Sequence, residues 1–199
     1  LQGLEIDTDL RWELLEGLIL AGAAGDAEVD AELAADKTAS GEQAAARARA
    51  TIPTAEGKLA AFSSLVDSDE LPNAIVRQTT MGFQHTNSPV VLEGLVAKYF
   101  DVLTRIWAER SYHMAGTIVT GLYPAPLASV ELRDAATAWL EAHPETPALR
   151  RIVTENLAGT ERERGVGDTD RGPRRDWPPR RCGWFQDIAR TGQCAGMPV

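Results

Sequence analysis

A chain of 199 residues with a formal net charge of −9 and a pI near 4.9 has room for one substantial hydrophobic core. The acidic balance excludes binding nucleic acid through a general basic surface, which needs many Lys and Arg side chains facing phosphates. No run approaches the roughly 20 apolar residues that cross a bilayer, so no membrane partner is expected. The opening LQGLEIDTD has neither the basic start nor the apolar core of a signal peptide. Its first residue is Leu1 rather than Met, as in a fragment or a processed chain. The two cysteines, Cys182 and Cys194, make no disulfide framework and lack the paired spacing of a zinc site, which fits a cytoplasmic protein. Strand signals are scarce while Ala, Leu, Glu and Arg dominate, so roughly the first 160 residues read as all-α.

The stretch TDLRWELLEGLILAG predicts the first helix, with Asp7 or Thr8 as its cap and Leu10, Leu14, Leu15, Leu18 and Ile19 as its apolar face. Trp12 is read as a packing residue, since aromatic rings mostly fill cores and interfaces. Gly22 to Gly25 end this helix, and Asp26 is a candidate cap for a short one reaching Lys37. Ser40 and Gln43 match the S-x-x-Q capping box. The Ala-rich helix that follows can approach its neighbours closely, with Arg47 and Arg49 pointing outward. Pro53 breaks the chain, and Thr54 starts a helix whose stripe is Leu59, Phe62, Leu65 and Val66. The turn cluster DSDELPN leads into a helix that buries Ile75, Val76, Thr79 and Phe83 and ends at Gly82–Phe83.

The longest helical pattern follows, from Leu92 to Pro124. Leu92, Val96, Tyr99, Leu103, Ile106, Trp107, Met114, Ile118 and Leu122 recur at three- and four-residue steps. Ser88 and Pro89 suit its start, and Gly121 and Pro124 its end. It is either one long helix or two broken near Arg110–Ser111. A further helix places Leu132, Ala136, Trp139 and Leu140 inward, and a last one starting at Thr146–Pro147 buries Leu149, Ile152, Val153 and Leu157. About eight helices with short connections and no strict repeat match a bundle or stacked helix pairs of a degenerate HEAT-like kind. From residue 164 the composition shifts. The span 165–199 holds six arginines against four aspartates, four prolines and no helical stripe. That segment, 164–199, is expected to be a disordered tail separate from a helical domain at 1–163. Its arginines offer only a weak case for recruiting nucleic acid.

No catalytic motif stands in the chain. None of His85, His113 and His143 belongs to a His-Glu-x-x-His zinc motif. Glu109 and His113, four apart, read as a hydrogen-bonded surface pair rather than part of a metal site. Gly57-Lys58 lacks the rest of a phosphate-binding loop, and no nucleophile elbow occurs. No catalytic residue and no metal ligand is assigned.

Several segments, in order, resemble the C-terminal helical domain of aminopeptidase N, most closely its actinobacterial branch. They are LRW at 10–12, DKTASGEQAAARARATIPTAEGK at 36–58, LPNAIVR at 71–77 and GF at 82–83. YFDVLTRIWAERSYHMAGTIVTGLYP at 99–124 and ALRRIVTENLAGTER at 148–162 complete the series. The resemblance covers about residues 1–163. It implies a superhelix of stacked antiparallel helix pairs, a HEAT-like α-solenoid, that closes over the chamber of a zinc aminopeptidase. The zinc and the substrate motif then belong to an upstream catalytic domain, the expected partner, and this chain carries no cofactor. Pro72, Asn73, Arg77 and Phe83 match a segment that faces the chamber in related enzymes. Asn73, Arg77 and Phe83 are therefore the candidate substrate-binding residues, with Arg77 set to meet a peptide carboxylate or carbonyl. The competing role for Arg77 is a helix cap or a pair with Asp67 or Asp69. The competing role for the chain is a free-standing helical scaffold that binds a peptide or protein partner.

Overall fold

The computed structural model describes residues 6–169, with side chains through residue 162. The described residues are all-α, with no strand. The helices are α1 (Thr8–Leu20), α2 (Asp26–Ala35), α3 (Ala39–Thr51), α4 (Ala55–Asp67), α5 (Asn73–Gln84), α6 (Val96–Glu109), α7 (Tyr112–Leu122), α8 (Val130–Ala142) and α9 (Pro147–Thr169). Short 3-10 turns at Pro89–Leu95 and Ala125–Leu127 precede α6 and α8. The segment expected to be disordered lies, from residue 170 on, outside the described residues, and α9 runs on to Thr169.

Local chemistry sets the boundaries. Asp7 caps α1, its carboxylate accepting the Leu10 N–H at 2.8 Å. Gly22 closes the same helix in the left-handed region at φ 71°, where a glycine has no Cβ to clash. Thr54 caps α4 by accepting the Gly57 N–H at 3.0 Å. Three starts differ from expectation. Asp26 is the first residue of α2 rather than its cap, and Glu28 reaches back to the Gly25 N–H at 2.8 Å. Thr38, not Ser40, caps α3 by accepting the Gly41 N–H at 3.0 Å. Ser88 makes no side-chain cap bond, because Pro89 opens a 3-10 turn instead of an α-helix.

The long apolar pattern is two helices. Ser111 breaks it, its side chain accepting from the Met114 N–H to cap α7. Leu92, Tyr99, Leu103, Ile106, Ile118 and Leu122 are all buried. They join one large apolar cluster with Phe62, Leu65, Val76, Phe83, Leu132, Trp139, Leu149 and Val153. A smaller cluster holds Trp12, Leu15, Ile19, Val29, Ala45 and Ala48. The helix α3 serves both, because Ala50 belongs to the larger one.

From α1 to α5, and from α6 to α7, each helix touches its sequence neighbour, and alternates meet as well: α1 lies on α3, α3 on α5, α5 on α7, and α6 on α8. The broadest contact is α3 on α5, and glycine makes it possible. A Cβ at Gly82 would sit 2.2 Å from the Arg47 carbonyl oxygen, and one at Gly121 2.3 Å from Thr80 Cβ. Gln84 then ties α5 to the end of α7, donating through Nε2 to the carbonyls of Gly121 and Tyr123 at 2.7 and 2.6 Å.

Two apolar stripes are shifted from the simple pattern. In α1, Leu15 and Ile19 are buried with Trp12, while Leu14 and Leu18 are each 51% exposed. In α4, Leu59 is 40% exposed and Lys58 beside it is fully buried. The Lys58 ammonium donates to the carbonyls of Ala50, Gly82 and His85 at 2.7, 2.9 and 2.9 Å. Three donors meet three acceptors, which compensates for taking the charge out of water.

Leu103, with no exposed surface, should cost about 2–5 kcal/mol when cut to Ala. Leu14→Ala, on the outer face of α1, should cost under about 1 kcal/mol. Urea titration of both variants checks the assignment of core and surface.

Candidate functional site

The sequence places its candidate residues on α5, and the helix separates them. Asn73 and Arg77 lie one turn apart on its exposed face. Phe83 is 0% exposed, inside the larger cluster and 6.0 Å from the Lys58 ammonium. A peptide has no surface of Phe83 to touch, so its part is to seat α5. This outcome follows from helical spacing, because Phe83 shares the inward stripe of Val76 and Thr79.

Arg77 forms no ion pair among the described residues. Asp67, its alternative partner, lies 3.8 Å from Arg105 instead. Met81, 46% exposed, continues the ridge one turn beyond Arg77. On one side Gln78 faces a cleft of about 310 Å³, walled by Glu13 and Glu16 of α1 and by Gln43 and Arg47 of α3. On the other side Thr80 borders an open groove of about 470 Å³ with Tyr112, His113, Thr117 and Thr120 of α7 and Ile152 of α9. Asn73, Arg77 and Met81 thus stand on α5 between two depressions.

The cleft is braced by charge. Glu16 accepts from Arg47 Nε at 3.0 Å and lies 2.6 Å from His85 Nδ1. Arg49 pairs with Asp30 at 2.5 Å. Both arginines expected to point outward are therefore half-buried and tie α3 to α1 and α2. At the cleft's far wall the Trp12 indole N–H donates to Asp36 Oδ2 at 2.9 Å, and the Thr38 hydroxyl donates to Asp36 Oδ1 at 2.7 Å. These two hydrogen bonds, Thr38 first, hold the Asp36 carboxyl below its ordinary pKa.

Glu109 and His113 do not form the expected surface pair. The chain breaks between them at Arg110–Ser111, and Glu109 lies 3.8 Å from Arg105 in its own helix. Among the described residues no three His, Cys, Asp or Glu side chains converge to hold a metal ion, so no step through zinc is assigned to them. Nor is any described helix long and apolar enough to cross a membrane. The junction of Glu16, Lys58 and His85 had no signal in the sequence, since its members come from α1, α4 and the turn after α5 and none sits in a motif.

The folded-state pKa of Asp36 is depressed, so the stability it contributes is present above the unfolded value of 3.8 and is lost as pH falls through the lower folded value. Asp36→Asn should therefore flatten the acid limb of a stability-against-pH curve followed by Trp fluorescence.

Residues 1–162 match the model of the ERAP1-like C-terminal domain. The chain is also similar to aminopeptidase N of Streptomyces lividans, 43% identical over 162 residues, which is 81% of this chain and 19% of that relative. The chain thus spans about a fifth of the length of the curated relative it matches. Nearly the whole described fold falls inside the matched span, and the chain belongs to the family of ERAP1-like C-terminal domains.

Proposed function

We propose that this chain is the non-catalytic C-terminal portion of a zinc metallo-aminopeptidase, a helical cap over the chamber through which peptides reach the active site. The single observation that carries the reading is the 43% identity over 162 residues to an aminopeptidase N of which they make up only 19%. The contacts of α1 with α3, α3 with α5 and α5 with α7 support a HEAT-like superhelix of stacked antiparallel helix pairs. Zinc, the catalytic groups and the specificity pocket then belong to a catalytic domain of the same polypeptide, which is the first partner. Peptide substrate is the second, and the setting is cytoplasmic.

Within that cap, Arg77 is the substrate contact. Its guanidinium is exposed and has no carboxylate partner among the described residues, so it is free to meet a peptide carboxylate with charge-assisted hydrogen bonds. Asn73, one turn earlier, supplies an amide that both donates and accepts. Phe83 supports the helix that carries them.

In the full-length enzyme, Arg77→Ala should raise KM about tenfold for peptides with a free C-terminal carboxylate, the worth of one charge-assisted hydrogen bond. It should leave KM for C-terminally amidated peptides and kcat for an aminoacyl p-nitroanilide unchanged. Equal effects on both peptide types would remove Arg77 from the site. The 199-residue chain alone should release no p-nitroaniline with zinc added. Zinc-dependent turnover by it would overturn the non-catalytic assignment.

A further inference from the structure

A cation stands at the meeting point of two helix ends. The Lys58 ammonium reaches Ala50 O near the C-terminus of α3, Gly82 O in the last turn of α5 and His85 O just beyond it. Helix C-termini present unpaired carbonyls and the negative end of the dipole, so a cation there satisfies both. The charged groups around it come from every side of the junction. Glu16 of α1 acts on Lys58 through its charge, without an ion-pair contact among the described residues, and Arg47 of α3 and His85 after α5 both hold Glu16. The segment after α5 in turn fastens α1, through His85 on Glu16 and through Asn87 Nδ2 donating to Leu20 O at 2.5 Å.

We propose that Lys58 is a proton-operated latch: its ammonium clamps the ends of α3 and α5, and loss of one proton frees the His85 turn that fastens α1. The chemistry follows from donor count. An ammonium has three N–H donors, whereas a neutral amine has two and a lone pair, so one of the three carbonyls must lose its partner. Ala50 O and Gly82 O are buried and belong to helices, while His85 O is only part-buried and lies outside a helix, where it can turn to water. His85 O is the carbonyl given up. Burial drives the change within reach of ordinary conditions, pushing Lys58 down from 10.5 to about 8 against the opposing charge of Glu16. The latch is closed below that pH and open above it. Released, the His85 turn slackens its hold on Glu16 and Leu20, and α1 moves as the outer wall of the cleft beside Gln78.

The test uses the 199-residue chain with isotope-labelled lysine and a pH series. The Lys58 Cε and Nζ resonances should titrate with a midpoint near pH 8. Across the same midpoint, protection of the His85 amide, which bonds to Met81 O and Gly82 O, should fall about fivefold to tenfold after correction for intrinsic exchange. In Lys58→Met the His85 amide should already be weakly protected at neutral pH, with no midpoint. Should that variant not fold, the wild-type titration and exchange series decide the matter alone. A Lys58 that stays protonated well past pH 8, or that titrates there while the His85 amide does not respond, overturns the latch.

Discussion

Everything else in this fold depends on α5 lying hard against α3 and α7. Helices approach this closely only where side chains vanish, and Gly82 and Gly121 are those places. The backbone carbonyls brought together at the end of α5 then need donors, because an unpaired buried carbonyl costs as much as a lost hydrogen bond. Lys58 supplies them to Ala50 and Gly82, and Gln84, itself at the end of α5, supplies them to Gly121 and Tyr123. Close packing and buried polar chemistry are therefore one arrangement, and α5 is its centre.

That arrangement explains what the sequence revealed and what it concealed. The apolar repeat from Leu92 to Leu122 was legible because burial of one helical face leaves a periodic trace, but periodicity alone left one long helix and two helices open, and the Ser111 cap decides for two. Leu59 falls on the expected stripe of α4 yet is exposed, and Lys58 beside it is the buried residue. Pattern reasoning sends charge outward, and it has no view of three carbonyls arriving from two helices and the turn after one of them. The outward turn of Leu14 and Leu18 was hidden for a related reason. Five apolar residues fit one wide face of α1, and only the partner's width decides which of them are covered.

The candidate site shows the same division. Asn73 and Arg77 are exposed and adjacent, as their spacing on α5 requires. Phe83 matched a family segment and also lay on the buried stripe, and geometry favours the stripe. The two depressions beside the ridge are built by residues from α1, α3, α7 and α9, so no local motif could announce them. The family is written in a series of short segments spread over the chain, and those segments mostly encode helix contacts.

The alanine face of α3 has one more effect. Ala45 and Ala48 line the small cluster and Ala50 lines the large one, within two turns of a single helix. The helices α1 and α2 can peel away while the large cluster stays shut, but α3 cannot leave without opening both. The folded state therefore has a graded edge and an indivisible middle. On this arrangement local opening is expected first at α1 and α2, with α3 marking the line beyond which loss of structure becomes all-or-none.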